Sequence, residues 1–161
     1  MLLFTALLLH AVSGFVSGCD YGYSTPIGDL FDPPATYNGH TYYLSKSFYL
    51  NADQAQSVCL SYGMFLVEVN DAGEYKFVQD LARKANPEGL LISGTDMAQE
   101  GKWTFQFSKE PVKFFDWYKG NPDNYGGGED YLTLYRPYNY QMNDVFYGNR
   151  GGYKFLCEKC G

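Results

Sequence analysis

Positive charge and histidine are both scarce in this chain: 12 lysines and arginines face 18 aspartates and glutamates, the formal net charge is -6, and only 2 histidines occur. No Lys/Arg cluster forms anywhere, so nucleic acid and anionic membranes are poor partners on electrostatic grounds. A bound cation, by contrast, would relieve the acidic loops. His10 lies in an apolar leader, which leaves His40 alone in the rest of the sequence. No Ser/His or Cys/His catalytic arrangement can then be assembled, and we assign no catalytic residue and no enzyme activity. Cysteine is limited to Cys19, Cys59, Cys157 and Cys160. Cys157 and Cys160 have metal-knuckle spacing, but Cys19 and Cys59 supply no second pair of that kind, which argues against structural zinc. An even count after a leader argues instead for disulfides in an oxidising compartment. Beyond the leader no stretch approaches the roughly 20 apolar residues of a membrane span. Internal repeats, heptads and low-complexity tails are absent as well.

The leader, Met1 to Gly18, is an apolar run followed by small residues, with Val16 and Gly18 suitably placed for cleavage before Cys19. It predicts a secretory signal over 1–18, a single domain over 19–161, and a secreted, extracellular protein. The aromatic residues, 16 Tyr and 12 Phe among them, suit core and sheet filling and equally suit stacking on sugar faces.

Cys19 to Ala35 is rich in Gly, Pro and Asp and reads as an extended lead-in without a core of its own. Tyr37 to Leu44, with its Asn38-Gly39 turn, predicts a strand. Asn51 with Gln54 three residues on opens a helix that Gly63 closes; Ala55, Val58, Cys59 and Tyr62 share a face, which turns Cys59 inward. Met64 to Val69 is a buried strand or connector. Asp71 with Glu74 starts a second helix whose stripe is Phe77, Val78, Leu81 and Ala82 and which ends before Asn86-Pro87. Leu90 to Ile92, Trp103 to Phe105, Tyr131 to Tyr135 and Gly152 to Lys159 read as strands. Lys109 to Gly128 has no period, and long irregular stretches are commonly functional.

Within that stretch stands Gly120-Asn121-Pro122-Asp123-Asn124-Tyr125-Gly126-Gly127-Gly128-Glu129-Asp130, followed later by Asn143-Asp144. Carboxylates and carboxamides alternating around turn residues suit a hard cation such as calcium, which takes oxygen ligands in flexible geometry. The same residues are also ordinary surface-loop punctuation.

In order and spacing, the Cys59 helix, Leu91-Ile92-Ser93-Gly94-Thr95-Asp96, Glu100-Gly101-Lys102-Trp103, Gly120 to Asn124, Glu129-Asp130, Asn143-Asp144 and Phe155-Leu156-Cys157-Glu158-Lys159 together resemble a C-type lectin domain. The resemblance covers nearly all of the chain after the leader. It implies an α+β double-loop fold, with two helices flanking small antiparallel sheets and a long calcium-binding loop region. It implies primary calcium ligands at Asn121, Asp123, Glu129, Asn143 and Asp144, a cis Pro122, and sugar contacts from Asn121, Asp123, Tyr125, Glu129 and Asn143. A second calcium is implied at Asp96, Glu100, Asn124 and Asp130, although Asn124 stands where a carboxylate is common in the family. The implied partner is a carbohydrate. Asn-Pro-Asp matches neither the family's Glu-Pro-Asn, which goes with mannose, nor its Gln-Pro-Asp, which goes with galactose, yet its amide-then-acid order is that of the galactose type. Tyr125 occupies a position where galactose-binding relatives carry a ring. The expected ligand is therefore a terminal galactose or N-acetylgalactosamine, in recognition or agglutination of glycans as in innate immunity. The alternative is a calcium-binding matrix or biomineral protein that reads no sugar.

The resemblance also implies a Cys59–Cys157 bridge. Cys19 and Cys160 remain, and since the family's termini meet they are expected to pair with each other, or else between chains. The family's loop-bracing cysteines are replaced by Tyr131 and Tyr147 together, so a tyrosine contact is expected in place of that bridge. Met142 replaces the usual Trp before Asn-Asp, so the strand holding Asn143 and Asp144 is expected to be less firmly placed. The carboxylates Asp123, Glu129 and Asp130, which could suggest a hydrolase pair, are accounted for by calcium positions.

Overall fold

The computed structural model describes residues 26–46, 51–147 and 153–159; the leader and the expected Cys19–Cys160 pair lie outside them. Helix α1 (Ile27–Leu30) precedes the hairpin of β1 (Ala35–Tyr37) and β2 (His40–Leu44). Asn38 and Gly39 both have positive φ, 48° and 86°, as a tight hairpin turn between twisted strands requires. Helix α2 (Ala52–Ser61) begins where the Asn51 side chain accepts from the Gln54 amide at 2.8 Å. Strand β3 (Phe65–Leu66) leads to α3 (Ala72–Ala85). There the Asp71 carboxylate accepts from the Gly73 and Glu74 amides at 2.7 and 2.9 Å, satisfying donors that the first helical turn cannot pair internally. Arg83 and Lys84 lie in its last turn, where they complement the helix dipole, and Asn86 closes it in the left-handed region.

Strands β4 (Gly89–Thr95), β5 (Tyr131–Tyr135), β6 (Gln141–Val145) and β7 (Lys154–Lys159) complete one open sheet of order β1-β2-β7-β4-β5-β6, with β3 also paired to β7. The fold is therefore α+β and has the expected architecture. One pairing departs from the antiparallel expectation: β4 and β7 run parallel through Leu90–Lys154 and Leu91–Phe155. The N-terminal half of β7 takes β4 and its C-terminal half takes β3, which joins the expected small sheets into one.

Two apolar clusters form. Val78 and Ala82 of α3 pack with Ile92, Trp103, Leu132 and Leu134, while Ala55 and Cys59 of α2 pack with Leu91, Tyr131 and Phe155. Along β5 the period of two is literal, since Tyr131 enters one cluster and Leu132 and Leu134 the other. The lead-in has no core of its own, as expected, but it is not simply extended, since Ile27–Leu30 is helical, and Phe31 is buried in the domain core, edge-on to Tyr43, Tyr62 and Phe155. Three neighbouring rings draw it in, which local composition does not announce. Trp103–Phe105 is also not a strand; Thr104 alone makes bridges, to Thr95 and Pro111, while Trp103 and Phe105 are anchored by burial.

The Cys59–Cys157 bridge is present and joins α2 to β7 across 98 residues of sequence. Replacing both cysteines with serine is expected to lower unfolding free energy by about 2–5 kcal/mol, because a long closed loop restricts the unfolded chain; urea denaturation measures it. In the place of the absent second bridge, the Tyr131 and Tyr147 rings meet with centroids 5.8 Å apart. The Tyr131 hydroxyl donates to Asp53 Oδ2 at 3.0 Å, tying β5 to α2. Tyr131→Phe is expected to cost about 1 kcal/mol in the same measurement, since Asp53 is solvent-exposed and the bond is partly screened.

Candidate metal and ligand site

The irregular stretch reaches its polar centre at the Asn121–Pro122 peptide, which is cis. What fixes the loop there is Asp144, whose side chain is 1% exposed on β6. Its Oδ2 accepts from the Asp123 and Asn124 amides at 3.0 and 2.7 Å, and its Oδ1 from Asn121 Nδ2 at 3.1 Å. β6 is itself held by five register pairs with β5, Thr133 opposite Asn143 and Leu132 opposite Asp144, so the sheet delivers both residues to the loop. The missing Trp does not loosen this strand: Met142 is buried, and its carbonyl accepts from the Tyr118 amide at 2.9 Å.

Carboxylate oxygens of Asp123, Glu129 and Asp144 lie within 4.8 Å of one another. Such a group can hold a metal ion, and the donor set is oxygen throughout, as a hard cation prefers. Loss of solvent around Glu129, the largest effect, and the Asp144 and Asp123 charges push its carboxyl up to about 7, against the opposing hydrogen bond from the Tyr125 amide. That amide donates to Glu129 Oε2 at 3.0 Å and sets Tyr125, 75% exposed, beside the carboxylate. Asn121 and Asn143 join the group, with Asn121 Nδ2 donating to Asn143 Oδ1, while Asn143 Nδ2 donates to the Asp144 carbonyl at 2.6 Å. All five residues of the expected primary set are thus brought together, and Tyr125 stands at their edge.

The second set gathers around Asp96, which is 2% exposed. Its Oδ2 accepts from the Gly101 amide at 2.8 Å, while its Oδ1 is buried without a hydrogen-bond partner among the described residues. An orphaned buried carboxylate oxygen is a costly feature that a cation would relieve. Burial first, then the Asp130 and Asp144 charges, raise the Asp96 carboxyl; desolvation, then the charges of Asp96, Asp130 and Asp144, raise that of Glu100. Asn124 touches Glu100 through its Nδ2. Its Oδ1 accepts from the Gly128 and Glu129 amides at 2.5 and 3.1 Å, so the carboxamide holds the glycine turn closed.

Beside the three carboxylates opens a cavity of about 380 Å³ that reaches past the loop to Glu88, Tyr135, Tyr138 and Tyr153. Sequence reasoning missed these four. Alternation along β5 could have found Tyr135, which shares a face with Tyr131, but nothing local marks the others.

No family model matches the chain. A perlucin-like protein of Mytilus galloprovincialis is 28% identical over 97 residues, which are 59% of this chain and 62% of that protein, so the match spans less than two thirds of it. Salivary C-type lectin 2 of Aedes albopictus is 27% identical over 114 residues, 65% of this chain and 74% of its own. Among solved structures, the carbohydrate-recognition domain of mouse scavenger receptor C-type lectin matches with a TM-score of 0.69 at 28% identity, covering 78% of this chain and 92% of that one. A calcium-independent type II antifreeze protein shares the fold at 16% identity, with a TM-score of 0.66 and 81% and 95% covered. The fold therefore does not by itself decide whether an ion is used, and that question rests on the side chains. From its sheet, its bridge and its relatives together, the chain carries a C-type lectin domain.

Proposed function

We propose that this is a secreted, extracellular, calcium-dependent carbohydrate-binding protein, non-enzymatic, that recognises or agglutinates glycans ending in galactose or N-acetylgalactosamine, with a role like that of innate immunity. The observation that carries the reading is the convergence of the Asp123, Glu129 and Asp144 carboxylates, with no basic side chain paired to any of them among the described residues. Asn121, Asp123, Glu129, Asn143 and Asp144 would hold one calcium ion. With the Asp144 carbonyl they offer six oxygens, and two sugar hydroxyls bring the number to eight, within calcium's range. When bound, the ion would supply the charge that draws the two hydroxyls in. The protein's own groups then fix which hydroxyls fit: a carboxylate accepts a hydrogen bond from each, and a carboxamide donates one to each. Amide at Asn121 and acid at Asp123 favour the galactose order, and the exposed Tyr125 ring offers a face for the apolar side of that sugar. Asp96, Glu100 and Asp130, with Asn124 closing the turn, would hold a second calcium at the orphaned Asp96 oxygen.

The alternative, a matrix or mineral-associated protein that binds calcium without reading sugar, draws on one contact: the Asn121 and Asn143 carboxamides hydrogen-bond each other. A glycan array read with and without chelator separates the two. Galactose-terminated spots that vanish on chelation support the lectin, whereas calcium binding with an array empty in both conditions supports the alternative.

A further inference from the structure

The residues that would hold an ion line one end of the cavity beside the loop, and the other end belongs to different chemistry. Asn121, Asp123, Glu129 and Asn143 are at the first end; Glu88, Tyr135, Tyr138 and Tyr153 are at the second. On the sheet, Thr133 stands opposite Asn143 and Tyr135 opposite Gln141. Tyr135 is therefore two residues along the strand from the cation end, about 7 Å at the rise of a strand. That distance puts it outside the shell of any ion held by Asn143.

The second end is stiff. Tyr138 stacks flat on Tyr118 with centroids 3.9 Å apart and planes within 2°, and meets Tyr135 edge-on at 5.1 Å. Tyr135 in turn meets Tyr153 at 6.4 Å, and the Tyr153 ring lies directly over Gly89, where a Cβ would collide with it. These rings are positioned before any ligand arrives, which reduces the entropy lost on binding. The polar atoms are spare: the Glu88 side chain and the Tyr135 and Tyr138 hydroxyls make no hydrogen bond to the described residues. The cavity, at about 380 Å³, is of a size that small-molecule sites use, about 300 to 1,000 Å³.

We infer that this Glu88–Tyr135–Tyr138 end is a second sugar subsite, which takes the next residue of a glycan whose terminal residue sits at the cation end, and takes it only when that residue carries no negative charge. The inference rests on the carbohydrate-binding reading above and goes beyond it by setting the length and charge of the ligand. Continuity argues for a glycan as occupant, since both ends share one cavity. Aromatic faces suit the apolar face of a sugar ring, and the free Glu88 carboxylate accepts from its hydroxyls. The same carboxylate, in a protein of net charge -6, repels a uronic acid.

The test is calorimetric titration in calcium with two pairs of probes, methyl β-galactoside with lactose and methyl α-mannoside with mannobiose, on the wild type, Tyr138→Ala and the isosteric Glu88→Gln. In the wild type the disaccharide of the preferred pair is expected to bind about tenfold tighter than its monosaccharide, the equivalent of one or two good hydrogen bonds. Both variants are expected to bring that ratio close to one. A third probe, a disaccharide whose second residue is a uronic acid, is expected to lose the advantage in the wild type and regain part of it in Glu88→Gln. Monosaccharide binding with no disaccharide advantage, or an advantage that survives both variants, overturns the subsite and leaves the lectin reading standing. Absence of binding by all of the sugars overturns both.

Discussion

Asp144→Ala is expected to abolish calcium-dependent retention on galactose resin and to unpin the loop from the sheet. A single buried carboxylate accepts from the Asp123 amide, the Asn124 amide and the Asn121 carboxamide. Alanine removes all of these acceptors at once, and a buried donor left unpaired costs about 1–3 kcal/mol. Part of that loss is offset in the ion-free protein, where deletion of the Asp144 charge also relieves Asp96 and Glu129. Stability alone is therefore the weaker readout, and calcium affinity the stronger one. Asp144→Asn sharpens the distinction. It keeps the volume and one acceptor but puts an amide N–H₂ where an oxygen faced donors and, in our reading, an ion. Its calcium affinity is expected to fall at least about tenfold, because ligand charge tunes calcium affinity over decades. Titration calorimetry measures that fall, and an unchanged affinity in Asp144→Asn would remove Asp144 from the ligand set.

The second large effect is in the joint dependence on calcium and pH. Glu129 is pushed up to about 7, by burial and then by the Asp144 and Asp123 charges; Glu158 is also pushed up to about 7, by burial and then by the Glu74 charge, against the His40 contact at 2.5 Å. Both carboxyls start from 4.5 when unperturbed, so between 4.5 and about 7 the folded protein binds more protons than the unfolded chain. Their stabilising contribution is complete below 4.5 and is lost as pH rises through about 7. Without calcium the melting temperature is therefore expected to fall as pH rises from about 5 to about 8.

Calcium reverses the Glu129 share, because an ion held by Glu129 requires it deprotonated. The calcium-induced rise in melting temperature is expected to grow with pH, reaching the equivalent of about 2.7 kcal/mol when calcium exceeds its Kd a hundredfold. The Glu158 share lies elsewhere, among His40, Glu74 and the Glu68 amide, and is expected to persist with or without calcium. Glu158→Gln should flatten that share alone. A calcium-induced shift in melting temperature that does not depend on pH would contradict the place given to Glu129.

The sequence announces most of this architecture where local chemistry and tertiary need agree. Asn51 and Asp71 are the helix caps that their side chains predict, and Cys59 turns inward to its bridge because it shares a face with Ala55. Tyr131 and Tyr147 meet where two cysteines are jointly missing. What is hidden depends on partners distant in the chain. Gln141–Val145 carries few strand formers and owes its extended state to its five pairs with β5. Phe31 is drawn into the core by three rings, the nearest in sequence 12 residues away. At the site, the loop shows its cation chemistry in composition, but the role of Asn124 as a turn-holder and the wall of Glu88 and Tyr138 arise only when separate segments converge. Composition can identify potential ligands; it cannot say which of their atoms are already engaged.

The most direct measurement is retention on galactose resin, with calcium and after chelation, of the wild type, Glu129→Ala and Asn143→Ala. The site described here predicts that the wild type is held in calcium and released by chelator and by galactose at lower concentration than by mannose, and that both variants pass through unbound while remaining folded by circular dichroism. Retention of folded Glu129→Ala or Asn143→Ala at the wild-type level would contradict the site, and release at lower mannose than galactose would contradict the sugar preference drawn from Asn121, Asp123 and Tyr125.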